Sequence, residues 1–156
     1  MKRVLVRCQV ALLLAVSLFY AQSVVAEEQA NTKAKECSKA TLSGSFGYSS
    51  TGTLLDSYVP APYAGPFGEV GRQTFDGKGN TSAKATTSSN GNIAPVTVEG
   101  TYTVNSDCTG SMTLNVSPFD STVHAAFVID DDGAQLRAIG ADPGLVETRV
   151  YTKQYR

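Results

Sequence analysis

Apolar and polar side chains alternate along most of this chain, as they do in half-buried β-strands. The alternation is clearest where Val123, Ala125, Phe127 and Ile129 fall on one face and His124 falls on the other. No stretch after residue 36 has a helical period of useful length. We predict eight strands: Thr41–Tyr48, Phe67–Phe75, Thr81–Ser88, Val96–Val104, Ser111–Val116, Thr122–Asp130, Gln135–Gly140 and Leu145–Gln154.

Tight turn signals separate these strands and indicate antiparallel neighbours. Asp76–Asn80, Asn90–Asn92, Asp131–Gly133 and Asp142–Gly144 are all rich in Gly, Asn and Asp, which are typical of hairpin turns. Consecutive hairpins favour an all-β, eight-stranded antiparallel up-and-down barrel, because closure removes the exposed edges of a long meander. A β-sandwich is the alternative. The interior of an eight-stranded barrel is either filled by side chains or able to hold one small ligand.

The first 26 residues have the pattern of a cleaved signal peptide. A basic start with Lys2, Arg3 and Arg7 precedes the short apolar run Val10–Phe19, and Val24–Ala26 supplies small or compact residues for cleavage. The apolar run is too short to span a bilayer, which needs roughly 20 apolar residues. We therefore predict a signal peptide over residues 1–26, a flexible leader over 27–36 and a single barrel domain over 37–156. The pattern is bacterial in type and predicts an exported protein, either periplasmic or extracellular.

Charge argues against nucleic acid as a partner. The chain has 13 basic and 14 acidic residues, and loss of the three basic residues of the signal peptide leaves 10 against 14, a net charge of about −4. Basic side chains do not cluster into a stripe, as nucleic-acid recognition requires. The sequence does not determine the oligomeric state.

Cleavage would also remove Cys8 and leave two cysteines, Cys37 and Cys108. An even count in an oxidising compartment predicts a structural disulfide between them. The alternatives are a redox pair or a zinc site, but the Cys-x-x-Cys motif of the first and the closely spaced ligands of the second are missing.

Three segments together resemble a group of small secreted bacterial proteins, mostly uncharacterised. They are Cys37–Tyr48, Thr74–Asn80 and Gly100–Met112, the last with the sequence Gly-Thr-Tyr-Thr-Val-Asn-Ser-Asp-Cys-Thr-Gly-Ser-Met. That group is similar to the calycin-type barrels, which include lipocalins and allene oxide cyclase-like domains. The resemblance implies a barrel that takes a small ligand, and it carries no catalytic residue across. Gly44–Phe46 stands where a lipocalin has Gly-x-Trp, and this chain has no tryptophan.

The long connection Ser49–Pro66 and a few charged strand residues are the candidate ligand site. Loops longer than about 12 residues in compact domains are often functional or disordered. Tyr58 and Tyr63 here suit a cover over a barrel mouth, and the alternative is an ordinary surface loop tucked against the sheet. Charges in strands usually form outward salt bridges, which is the default expectation for Glu69 and Arg149. Each of the two, however, occupies the same set of alternate strand positions as apolar residues. If those positions face inward, Glu69 and Arg149 would line a pocket.

The remaining residues of types common in active sites and metal sites give no indication of catalysis or of a bound cofactor. His124 is the single histidine and should face outward, and Asp130–Gly133 reads as a charged hairpin tip without the ligand spacing of a calcium loop. We predict no metal site. The preferred function is a non-enzymatic secreted barrel that binds a small apolar or amphipathic molecule or a surface partner. The alternatives are a cofactor-free isomerase or cyclase that uses an inward carboxylate and a tyrosine, and a structural envelope protein with a filled barrel.

Overall fold

The computed structural model describes residues 36–155, and the predicted signal peptide and most of the predicted leader lie outside this range. Eight strands follow one another in antiparallel order, and β1 pairs with β8 to close the barrel. The predicted up-and-down barrel is confirmed. The strands are β1 (Ser43–Leu54), β2 (Gly65–Asp76), β3 (Asn80–Ser89), β4 (Asn92–Val104), β5 (Thr109–Ser117), β6 (Ser121–Asp130), β7 (Gln135–Gly140) and β8 (Leu145–Lys153).

The turns set the register through local side-chain chemistry. Asp76 Oδ1 accepts hydrogen bonds from the backbone N–H groups of Lys78, Gly79 and Asn80 at 2.7–2.9 Å, which fixes the β2–β3 turn. Asn90 and Gly91 both have positive φ (49° and 83°), as a two-residue hairpin turn that matches the strand twist requires.

The connection between β1 and β2 is shorter than predicted. The sequence predicted an irregular segment over Ser49–Pro66, but β1 continues to Leu54 and β2 begins at Gly65, so residues 55–64 form the loop. Ser49–Leu54 is rich in Ser, Thr and Gly and shows little apolar alternation. It is nevertheless a strand because it pairs with β2 on one side and with β8 on the other.

The predicted inward face is the core. Apolar residues at alternate positions of β4, β5 and β6 are buried, while His124, Thr101 and Thr103 are exposed. Four aromatic rings pack edge to face in one half of the barrel, with centroid separations from Phe75 of 5.4 Å to Phe46, 5.2 Å to Tyr102 and 6.3 Å to Tyr151. This half of the interior is filled.

The segment before β1 covers the filled half, which we call the closed end. Leu42 is fully buried there, and Tyr102 Oη donates to the carbonyl oxygens of Lys39 and Leu42 at 3.1 and 2.9 Å. The Cys37–Cys108 disulfide ties the same segment to the β4–β5 turn, with a Cα–Cα distance of 4.9 Å. Gln154, just after β8, bonds to Ser45 near the start of β1, so both ends of the described chain lie at the closed end. Among the described residues, no helix has the length and hydropathy to cross a bilayer.

Candidate ligand site

The opposite end of the barrel, the open end, carries an apolar cleft of about 490 Å³, which we call the outer cleft. The loop over residues 55–64 forms one side of it. This loop is held in place because Leu55 N donates to Gly144 O at 2.9 Å and Asn90 Nδ2 donates to Pro62 O at 2.8 Å. The lining residues are Leu54, Tyr58, Val59, Pro60, Tyr63, Ser89, Phe119, Ser121 and Thr122.

A smaller space of about 90 Å³, the inner chamber, adjoins the outer cleft inside the barrel. Six residues line both spaces, so a molecule in the cleft would have the chamber directly beside it. The chamber alone is lined by charged groups, namely Glu69, Glu147 and Arg149. Its apolar residues include Val96, Val116, Val123 and Leu145.

Strand register assembles a row of inward polar residues, the polar belt, from four neighbouring strands. Thr87 on β3 is the partner of Glu69 on β2, Glu69 is the partner of Ser50 on β1, and Ser50 is the partner of Arg149 on β8. Thr87, Ser50 and Arg149 are buried, and the Glu69 side chain is 6% exposed. The other wall of the chamber, from β4, β5 and β6, is apolar. The interior at this end is therefore amphipathic across its width.

Arg149 is held mainly by Glu147. Its Nε and Nη2 donate to the two carboxylate oxygens of Glu147 at 2.7 and 3.2 Å, and Ser50 Oγ donates to Glu147 Oε1 as well. Glu69 is the weaker partner, since its Oε1 lies 3.6 Å from Arg149 Nη1. Tyr48 Oη donates to the same Glu69 oxygen at 2.6 Å. Two carboxylates thus share one guanidinium.

Burial alters the protonation of this cluster. Desolvation raises the pKa of Glu69, and the Arg149 charge and the Tyr48 hydrogen bond oppose that rise without cancelling it. Desolvation and the neighbouring Glu69 raise the pKa of Tyr48, so its hydroxyl stays protonated. Burial would lower the pKa of Arg149, but the negative groups around it raise the pKa instead. Burial therefore makes Glu69 retain its proton to a higher pH than an ordinary glutamate does.

Two polar atoms of the polar belt have no hydrogen-bond partner within residues 36–155. Thr87 Oγ1 is buried and unpartnered, and its residue is 4% exposed. Glu69 Oε2 makes no hydrogen bond to a described residue, since both contacts of this carboxylate use Oε1, but unlike Thr87 Oγ1 it is not fully buried. Both residues line the inner chamber. A buried polar atom without a partner is costly, so the Thr87 oxygen is available to a polar group that enters the chamber.

The four predicted ligand residues lie at the open end, but they do not form one cluster. Tyr58 lines both spaces, Tyr63 lines the outer cleft alone, and Glu69 and Arg149 line the inner chamber alone. The default expectation of an outward salt bridge for Glu69 and Arg149 is wrong, since both side chains are 6% exposed. In the closed barrel, the alternate strand positions that hold Glu69 and Arg149 face the interior, as do the apolar residues that share those positions.

Sequence reasoning missed the contributions of Ser50 and Thr87. The predicted first strand ended at Tyr48, so the continuation of its inward phase to Ser50 was not recognised. Thr87 was interpreted as a small polar residue of β3. The signal available for both was strict two-residue alternation, carried through weakly apolar stretches.

His124 belongs to the surface, as predicted. Its side chain is 52% exposed, and its Nδ1 lies 2.7 Å from Asp142 Oδ1. It takes no part in lining either the outer cleft or the inner chamber.

Comparison with known proteins defines this chain at the level of its fold, as a closed eight-stranded β-barrel. No protein-family model and no curated protein matches it. A redesigned beta barrel is similar in structure, with a TM-score of 0.53 and 17% identity over 75% of this chain and 95% of that one. The structure of EF1p2_mFAP2b bound to DFHBI gives a TM-score of 0.47 and 14% identity, over 73% of this chain and 94% of that one. Likeness at these identities concerns the fold alone.

Proposed function

We propose that this barrel binds one small amphipathic molecule at its open end and performs no chemistry on it. The observation that carries the proposal is an apolar cleft of about 490 Å³ that adjoins a chamber with polar groups on one wall. Ligand sites are typically 300–1,000 Å³, mostly apolar, with a few polar groups that orient the ligand. The apolar part of the ligand would lie against Tyr58, Val59 and Phe119, and its polar part would face the polar belt. The calycin-type relationship that the sequence suggests stays a prediction, and it agrees with this function.

A bulky side chain at the junction of the two spaces tests the proposal. Ser121 lines both, so Ser121→Phe should fill the junction and weaken binding of the neutral apolar dye N-phenyl-1-naphthylamine by about tenfold or more, equivalent to ~1.4 kcal/mol. Dye fluorescence titrated against protein measures the dissociation constant. Wild-type protein should bind one dye molecule per chain.

The matched control is Ser111→Phe, which adds the same side chain at an exposed position of β5. It should bind the dye as wild type does. A wild-type protein without saturable binding would overturn the proposal, and so would equal binding by the two variants.

An isomerase that uses Glu69 and Tyr48 is the second candidate. The 2.6 Å hydrogen bond between them, together with the raised pKa of Glu69, is the observation in its favour. Binding is the better proposal because the Tyr48 hydroxyl already donates its hydrogen bond to Glu69. The raised pKa of Tyr48 also makes this tyrosine a poor acid. A structural role with a filled interior fits less well, because the open end of the barrel is hollow.

We also propose that the protein works outside the cytoplasm, in the periplasm or beyond. The Cys37–Cys108 disulfide supports this, since such bonds persist in oxidising compartments. When the full chain is expressed in a bacterium with an intact secretion pathway, the exported protein should begin near Glu27 and have the mass of a form with no free thiol. Intact mass with and without alkylation checks this. A mature form that keeps residues 1–26, or that carries two alkylated cysteines, would contradict it.

A further inference from the structure

We propose that the inner chamber selects ligands with a cationic ammonium head group, and that Glu69 binds this head group. The inference rests on the proposed function and adds the class of ligand. It is carried by the charge balance of the chamber and by its two unpartnered acceptors.

The charge balance favours a cation over an anion. Glu69 and Glu147 supply two carboxylates against the single guanidinium of Arg149, so the fully ionised cluster has one negative charge in excess. An anionic head group would need Arg149, but its Nε and Nη2 already donate to Glu147 and its Nη1 faces Glu69 Oε1 at 3.6 Å. An anion entering the chamber would also lose hydration next to two carboxylates, which is unfavourable.

The geometry supplies acceptors for an ammonium group. A primary ammonium has three N–H donors and no acceptor. Glu69 Oε2 and Thr87 Oγ1 have no hydrogen-bond partner among residues 36–155, and their residues are direct partners in the register of β2 and β3. These two oxygens are the acceptors that we assign to the head group. The apolar wall from β4, β5 and β6 would contact the carbon atoms next to the nitrogen.

Binding should also depend on pH, with a sign that follows from the groups around Glu69. Burial raises the pKa of Glu69 and Glu147 adds to the rise, while Arg149 and Tyr48 lower it. The empty site therefore retains a proton on Glu69 to a higher pH than an ordinary glutamate does. An ammonium ion favours the ionised carboxylate and expels that proton, so its affinity should increase as the pH rises through the pKa of Glu69. The increase ends where the ligand amine itself loses its proton, near pH 10 for an alkylamine.

Three probes with the same phenyl group and four-carbon chain test the inference: 4-phenylbutylamine, 4-phenylbutan-1-ol and 4-phenylbutyrate. Each competes with N-phenyl-1-naphthylamine for wild-type protein at pH 7. We expect the amine to bind about tenfold more tightly than the alcohol, as one charge-assisted hydrogen-bonded contact would produce, and the carboxylate to bind most weakly. Affinity for the amine, and not for the alcohol, should fall as the pH is lowered from 7, because the raised pKa of Glu69 returns a proton to this carboxylate.

Glu69→Gln is the decisive variant, and Glu99→Gln on the exposed face of β4 is its matched control. The first should lose both the preference for the amine over the alcohol and its pH dependence, each measured within the same variant, while the second should retain both. Equal binding of amine and alcohol by wild type would overturn the ammonium inference alone, and so would an amine preference that survives Glu69→Gln. Absence of dye binding in wild type would overturn the proposed function and this inference with it.

Discussion

Glu147→Gln should destabilise the barrel by about 3–5 kcal/mol, as removal of one partner from a buried ion pair does. Glu147 makes both close hydrogen bonds to Arg149, and its side chain is 1% exposed. The variant keeps the shape of the side chain but leaves a buried guanidinium with Glu69 as its remaining carboxylate, 3.6 Å away. Urea unfolding followed by circular dichroism measures the effect, as a lower midpoint with an unchanged slope.

Two further variants separate charge from packing. Glu69→Gln should cost much less, because Arg149 keeps both hydrogen bonds to Glu147 and an acid whose pKa is raised by burial does not stabilise the fold in its ionised form. The double variant Glu147→Gln/Arg149→Met should recover part of the lost stability, since no unpaired charge remains. Equal destabilisation by Glu147→Gln and Glu69→Gln would contradict the assignment of Glu147 as the main partner of Arg149.

Loss of the Cys37–Cys108 disulfide should lower the free energy of unfolding by about 4 kcal/mol, on the chain-entropy estimate for a closed loop of this size. The two cysteines are 71 positions apart in sequence, so the bond restricts more than half of the barrel in the unfolded state. Cys37→Ser is the suitable variant because it leaves Cys108 in place, and Cys108 has a φ of +67°, which few side chains adopt without strain. Urea unfolding again supplies the measurement.

Reduction of the wild-type protein is the control for this prediction. Unfolding in the presence of a reductant should give the same midpoint as Cys37→Ser, while the reductant should leave the midpoint of the variant unchanged. If the oxidised and reduced proteins unfold at the same urea concentration, the bond does not stabilise the fold.

The strands with strong alternation were predictable from sequence because each carries its own evidence. Phe127 and Ile129 on β6 mark an inward face without reference to any other strand, and Gln135–Gly140 was predicted with its observed bounds. The end of β1 was not predictable in the same way. Ser49–Leu54 has no strong apolar pattern, and it is extended because β2 and β8 pair with it. That information lies in the closure of the barrel.

In the candidate site, too, some features could be predicted from the sequence and others depend on the closure of the barrel. The phase of Glu69 and Arg149 with apolar neighbours was visible in the sequence, but the choice between an inward and an outward orientation was not. It depends on β1 lying between β2 and β8, which brings residues 80 positions apart into one row. Thr87 joins that row through the β2–β3 register, and the two-residue alternation of β3 was the one weak local signal that distinguished it from Thr86. Tyr58 was predictable as a cover residue because long loops with aromatic side chains are unusual.

The positions of residues 36 and 155, where the described part of the chain begins and ends, determine how this barrel can be attached to another object. The segment at Cys37 and the residues after β8 are both at the closed end, while the loop over residues 55–64 and the outer cleft are at the other. A fusion partner, an affinity tag or a solid support joined directly before residue 36 or after residue 155 therefore leaves the outer cleft directed away from the point of attachment. The fold is thus suited to oriented display, with its cleft facing solvent whichever end carries the linker.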